Sequence, residues 1–148
     1  MAKFMLGSAR HQLDDKGRVR IPAKFREGLG ASAYILPGRA GSLYIVPESR
    51  FESVISSLTS SSLYANDDTN DLATAVMSAG GSLEEDAQGR VRIAPELLKA
   101  AGIKKEVVFV GKATYVEVWP AEVWDSRYSV LDPENLERII ERLKKFGV

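Results

Sequence analysis

Between residues 10 and 21 the chain alternates: Arg10, Gln12, Asp14, Arg18 and Arg20 hold polar positions, His11, Leu13, Val19 and Ile21 apolar ones. A period of two predicts extended strands with one wet face and one buried face. Asp15-Lys16-Gly17 interrupts the alternation and suits a three-residue hairpin loop, with glycine where a left-handed backbone is needed. A hairpin closed there sets Asp14 opposite Arg18, Leu13 opposite Val19, Gln12 opposite Arg20 and His11 opposite Ile21. Its outer face is cationic and its inner face apolar.

The pattern returns. The stretch 13-LDDKGRVRIPAKFREGLG-30 reappears, altered, as 85-EDAQGRVRIAPELLKAAG-102, a shift of 72 residues without a gap. Asp14, Gly17, Arg18, Val19, Arg20, Ile21 and Gly30 become Asp86, Gly89, Arg90, Val91, Arg92, Ile93 and Gly102. After each loop a short helix is expected: Pro22 to Glu27, stopped by Gly28 and Gly30, and a second opened by Pro95 and closed by Gly102. Extended runs follow at 33–36 and 42–47, then at 106–110 and 114–120, with Gly111-Lys112 as a hairpin turn. Pro47 and Pro120 each lead into another helix, the first with Phe51, Val54, Ile55 and Leu58 at helical spacing.

The Ser-, Asn- and Asp-rich stretch 56–71 reads as a solvated linker, with Leu72, Ala75 and Val76 marking a short helix beyond it. At the C-terminus, Asp132 as N-cap, Pro133, and Leu136, Ile139, Ile140 and Leu143 on one face predict an amphipathic helix. It ends on Lys144 and Lys145, and its apolar stripe calls for a packing partner, in the protomer or on a neighbour. The organisation is thus a first module at 8–50, a helix and linker at 51–79, a second module at 80–123 and a helical segment at 124–148. Neither module of roughly 45 residues has enough core to stand alone. The two should fold as one pseudo-symmetric unit burying Leu13, Val19, Ile21, Leu83, Val91 and Ile93.

Composition changes this picture in one respect. The 148 residues are 45% hydrophobic and 27% charged, ordinary for a soluble globular chain. With no cysteine there is no disulfide, thiol nucleophile or thiolate metal site. No apolar run approaches the ~20 residues of a membrane span, and the first residues lack a signal-peptide core, so a cytoplasmic location is expected. The net charge is zero but unevenly spread. Residues 10–26 carry Arg10, Lys16, Arg18, Arg20, Lys24 and Arg26 against Asp14 and Asp15, an excess of four positive charges. The equivalent window 82–98 carries Arg90 and Arg92 against Glu84, Glu85, Asp86 and Glu96, an excess of two negative charges.

Catalysis has little to stand on. Asp14 and Asp15 are adjacent carboxylates, but successive positions along a strand point to opposite faces, so they do not easily form a general acid–base pair. His11, the one histidine, falls on the apolar side. No metal-ligand cluster or phosphate-binding glycine loop is present, so no cofactor, metal or small-molecule substrate is expected, and the chain is read as a non-enzyme. The Asp-x-x-x-Arg loop taken singly could be no more than a well-made hairpin. Its duplication, and the shared face of Arg18 and Arg20, favour anion recognition. Asp14 sits where it could hold the Arg18 guanidinium for a phosphate or the edge of a guanine.

These residues, with 4-FMLG-7 and 106-EVVFVGKATYVEVW-119, resemble the MraZ family of tandem SpoVT/AbrB-like modules. The resemblance covers nearly the whole chain apart from the serine-rich linker and the last helix. It implies an α+β fold, a swapped-hairpin AbrB-like β-barrel built from two tandem repeats with short helices. It also implies a nucleoid-associated transcriptional repressor that binds double-stranded DNA at repeated promoter elements of the division and cell-wall gene cluster, and that assembles into a ring-like homo-oligomer. Carried onto this sequence, the motif residues are Asp14, Gly17, Arg18, Asp86, Gly89 and Arg90. Lys16, Arg20, Lys24 and Arg92 complete the expected DNA face, with Arg18 reading bases or a fixed phosphate and Lys16 and Arg20 on phosphates. Arg90 should matter less, because Glu84, Glu85 and Asp86 crowd it and Ala87-Gln88 replaces Asp15-Lys16. The alternative is a protein-interaction module of antitoxin type that uses the C-terminal helix.

Overall fold

The computed structural model describes residues 4–59, 67–128 and 132–148. Both copies run through the same succession of elements. The first consists of β1 (Ser8–Gln12), β2 (Arg18–Arg20), α1 (Ala23–Leu29), β3 (Ala33–Pro37), β4 (Leu43–Pro47), α2 (Glu48–Thr59) and α3 (Asp67–Ala79). The second consists of β5 (Gly81–Leu83), β6 (Arg90–Arg92), α4 (Pro95–Ala101), β7 (Glu106–Gly111), β8 (Val116–Pro120), α5 (Ala121–Tyr128) and α6 (Pro133–Lys144).

The copies exchange strands. The Asp14 amide donates to the Arg18 carbonyl at 2.8 Å and closes the first loop, but beyond that bond the two strands part. Strand β1 pairs with β7 of the second copy, from Ser8 opposite Val110 to Gln12 opposite Glu106. Reciprocally, β5 pairs with β3 of the first copy. Strands β2 and β6 pair with each other as a separate antiparallel ribbon. The local register expected from alternation, with Leu13, Gln12 and His11 opposite Val19, Arg20 and Ile21, is therefore corrected. Alternation fixes which face of a strand is buried but leaves its partner open, and a lone two-stranded hairpin is marginal in water. Crossing over places the apolar faces of both copies in one core.

The main sheet is antiparallel, in the order β1-β7-β8-β4-β3-β5, which reads the same from both ends when the copies are interchanged. A pseudo-twofold axis runs through two cross-strand pairs: Val19 opposite Val91 in the ribbon, and Tyr44 opposite Glu117 where β4 meets β8. Between ribbon and sheet lies the core. It holds all six residues expected there, Leu13, Val19, Ile21, Leu83, Val91 and Ile93, together with Phe25, Ile45, Phe109, Val116 and Val118. Helix α1 begins after Pro22 and runs through Gly28, so only Gly30 ends it, at a φ of 74°. Helix α4 begins at Pro95 and stops at left-handed Gly102. Gly111 still belongs to β7, and a Cβ there would stand 2.5 Å from the Met5 backbone carbon, so only glycine admits the N-terminal segment. The turn lies at Lys112 to Tyr115, whose backbone N–H and C=O are joined at 2.8 Å.

The other face of the sheet is covered by helices. Tyr34 stacks on Phe51 of α2 at 4.3 Å between ring centroids, and Trp119 meets Tyr128 of α5 edge-on at 5.6 Å. The solvated linker expected over 56–71 is helical where described: α2 continues to Thr59 and α3 starts at Asp67. Residues 60–66 of that stretch, and the side chain of Leu58, lie outside the described residues. Serine-rich composition lowers intrinsic helix preference, but packing of Phe51, Val54 and Val76 against the sheet outweighs it. Helix α6 starts as expected, with the Asp132 carboxylate accepting the Asn135 amide at 2.8 Å. Its stripe of Leu136, Ile139, Ile140 and Leu143 is exposed in the protomer. Among the described residues no helix is long and apolar enough to cross a membrane.

Candidate nucleic-acid interface

The ribbon is where the sequence motifs meet. Arg18 stands opposite Arg92 and Arg20 opposite Arg90, while Val19 and Val91 between them are buried at 1% and 2% exposure. Paired positions, and positions two apart on one strand, share a face, so all four guanidinium-bearing residues lie on the side away from the core. The two copies together build an arginine surface that neither could present alone.

Each end of the ribbon carries an Asp-x-x-x-Arg loop with the same backbone. Asp14 Oδ1 accepts the amides of Lys16 at 2.8 Å and Arg18 at 2.9 Å. Asp86 Oδ1 likewise accepts those of Gln88 at 2.8 Å and Arg90 at 3.0 Å. Gly17 and Gly89 have φ of 75° and 76°, the left-handed positions expected of them. Both carboxyls are held below their ordinary pKa, first by the amide of the motif arginine, Arg18 for Asp14 and Arg90 for Asp86.

The side chains then diverge. The second carboxylate oxygen of Asp14 takes Arg90 Nη1 at 2.9 Å, across the copies. Sequence reasoning gives that carboxylate to Arg18; the structure gives it to Arg90, because the strand exchange brings loop one beside β6. Arg90 Nε also lies 3.3 Å from Asp86 Oδ2, close enough for attraction but not aligned as a hydrogen bond. Among the described residues, Lys16, Arg18, Arg20 and Arg92 have no carboxylate within ion-pair distance. Lys16, Gly17, Arg18 and Arg92 line a shallow groove with Asp15, Ile93, Pro95 and Leu98.

Three cations of the basic window are engaged elsewhere. Arg10 pairs with Glu106 at 2.9 Å and with Asp125, tying β1 to β7 and α5, so it leaves the ribbon face. The Lys24 ammonium donates to the Ser8 carbonyl at 2.7 Å. Arg26 donates to the Gly89 carbonyl at 2.8 Å and lies 3.3 Å from Glu85. His11 packs edge-on against Phe109 at 5.7 Å, and partial burial lowers its pKa. Among the described residues no group of three or more His, Asp or Glu could hold a metal ion.

Two features escaped sequence reasoning. One is the Asp14–Arg90 pair, which depends on an exchange of strands that alternation does not encode. The other is the exchange of partners beside the loops: Leu13 and Leu98 join the apolar cluster in one half, and Glu85 and Arg26 form an ion pair at the equivalent positions of the other. That second signal was present in the aligned copies as two complementary mismatches.

Fold and site together define an α+β protein of two interlocked repeats with one arginine-bearing ribbon between them. The family model described as "MraZ protein, putative antitoxin-like" matches residues 4–73 and again 79–147. The chain belongs to the MraZ family. Over 145 residues it is 31% identical to a protein of Lachnoclostridium phytofermentans named "Transcriptional regulator MraZ", covering 98% of this chain and 99% of that one. A relative of the same name from Caldanaerobacter subterraneus subsp. tengcongensis is 33% identical over 145 residues, 98% of this chain and 100% of its own. One from Saccharopolyspora erythraea, also of that name, is 34% identical over 123 residues, 83% of this chain and 85% of its own.

Proposed function

We propose that this chain is a sequence-specific DNA-binding transcriptional regulator, a repressor acting at repeated promoter elements of the division and cell-wall gene cluster. The observation that carries the reading is the β2/β6 ribbon, with Arg18, Arg20 and Arg92 on its outer face and, among the described residues, no carboxylate within ion-pair distance of them. The name borne by its relatives points the same way. Guanidinium groups on a rigid, two-stranded support suit phosphates and guanine edges in a major groove. The other residues of the expected DNA face are Asp14, Lys16, Gly17, Lys24, Asp86, Gly89 and Arg90. On this reading the ribbon and sheet are the swapped-hairpin barrel, and the protein works in the cytoplasm at the nucleoid.

A neutral protomer offers few cations, so repeated ribbons on an oligomer would multiply its grip. The exposed apolar stripe of α6, with Phe146 at 81% and Val148 at 83% exposure beside it, is the surface for that assembly into a ring. The same stripe supports the second reading, an antitoxin-type module that binds another protein. Footprinting on the DNA upstream of its own gene, with mass measured by light scattering, tests both. Protection of repeated short elements by an oligomer is the expected result; no protection, and a monomer that captures a protein partner through α6, favours the second.

A further inference from the structure

We infer that the two loops divide the labour on DNA: Arg90 is a positioning residue that locks loop one, and the contacts come chiefly from the loop-one end, through Lys16, Arg18 and Arg92, with Arg20 left as one further cation on the outer face. This rests on the DNA-binding reading above and says which part of the ribbon does the reading.

The guanidinium of Arg90 is already engaged. Its Nη1 is bonded to Asp14, and its Nε is buried beside Asp86. Through the other oxygen of Asp14 the link continues to the amides of Lys16 and Arg18. A side chain of the second copy therefore sets the backbone of the first copy's loop. No reciprocal link runs from Arg18 to Asp86, although the pseudo-twofold axis would allow one. The symmetry is broken at this point, and one arginine takes both aspartates.

The loop-one end is left with what Arg90 lacks. Arg18 and Arg92 face each other directly across the ribbon. Like charges at opposed positions destabilise a sheet unless something between them compensates. For Arg90 the compensation is two carboxylates; for Arg18 and Arg92 no carboxylate lies within ion-pair distance among the described residues. A polyanion fits this gap: the neighbouring Lys16 adds a third cation at the same groove, and Asp15, the one acidic residue on its lining, leaves the charge there positive. At the opposite end, Gln88 stands where loop one has Lys16, and Glu85 holds Arg26.

The test compares binding of the intact protein to a duplex from upstream of its own gene and to a scrambled duplex of equal length, over a series of salt concentrations. Arg18→Ala and Arg92→Ala should each weaken binding to both duplexes and flatten the salt dependence by about one charge, and Arg18→Ala should also lower the preference for the upstream duplex. Arg90→Ala should leave the salt dependence as in wild type but lower the preference for the upstream duplex several-fold, because Arg18 is no longer aimed. Amide exchange at Lys16 and Arg18 should then quicken ahead of the core amides, which a general loss of stability would not produce. Should Arg90→Ala fail to fold, Arg90→Gln removes the charge and keeps a donor for Asp14, and its salt slope should match wild type. A slope flattened by about one charge in either Arg90 variant overturns the inference while leaving the DNA reading intact. If wild type binds neither duplex, the DNA reading falls and this inference with it.

Discussion

Loop one and loop two share a frame down to the hydrogen bond: aspartate at the first position, glycine at a φ near 75°, and two amides on one carboxylate oxygen. They differ in what surrounds the frame. Loop one packs on apolar Leu98, and a Cβ on Gly17 would touch the Ile93 carbonyl at 3.3 Å. Loop two is gripped by Arg26, whose Nη2 would lie 2.5 Å from a Cβ on Gly89. Among the described residues the arginine of loop one has no carboxylate within ion-pair distance, while loop two gives its arginine to two aspartates. One geometry is thus put to two uses within the molecule: the repeats carry equal loops, and a few side chains tie the arginine of the second to the aspartate of the first.

The most drastic way to break the comparison is to separate the copies. Residues 1–59 alone should show no cooperative melting by circular dichroism, because β1 and β3 lose β7 and β5. A sharp transition in that fragment would mean that loop one is autonomous after all. A finer cut is the pair Arg90→Ala and Arg18→Ala in the whole chain. The first removes one charge-assisted hydrogen bond, to Asp14, and a close ion pair with Asp86, and should cost about 1–2 kcal/mol after allowance for solvent screening, seen as a lower Tm. The second should lie within roughly 0.5 kcal/mol of wild type, since no carboxylate of the described residues lies within ion-pair distance of its side chain.

Acidity probes the aspartates themselves. Both have folded-state pKa values below those of the unfolded chain, so the stability they contribute is present above the unfolded value and is lost as pH falls through the folded one. The Tm should therefore fall as pH drops from about 4. Asp14→Asn should flatten that fall more than Asp86→Asn, because Asp14 holds an arginine of the other copy whereas Asp86 faces one of its own. The smallest effect expected is from Glu85→Gln, which leaves the Arg26 charge beside loop two without its carboxylate while its bond to the Gly89 carbonyl remains. At low salt it should bind any duplex slightly more tightly than wild type, measured by anisotropy, with no change in preference for the upstream sequence.

Much of this was legible in the residues. Alternation named Val19, Ile21, Val91 and Ile93 as buried, glycine marked both left-handed positions, and Asp132 and Pro133 announced the last helix. What alternation could not give is the partner of a strand, since pairing within or between copies buries the same face. Hence Asp14 was matched to Arg18 by nearness in sequence, and to Arg90 by the fold. Helices α2 and α3 were legible from the spacing of Phe51, Val54 and Ile55 and from Leu72, Ala75 and Val76, but their facing ends were not: serines and aspartates there suggest solvent, while the packing that stabilises the helices comes from Tyr34, Leu36 and Val46 on a sheet not visible locally.

The exchange of strands also bears on the order of synthesis. Ser8 leaves the ribosome about a hundred residues before Val110, its partner. At ordinary elongation rates that interval is roughly 5–20 s, long compared with hairpin formation. Throughout it, the newborn first half carries a β1 edge whose mate does not yet exist, the kind of edge that recruits foreign strands. Arg10 on that strand is then a guard before it is a tie, a charge that discourages mispairing until Glu106 and Asp125 arrive to receive it.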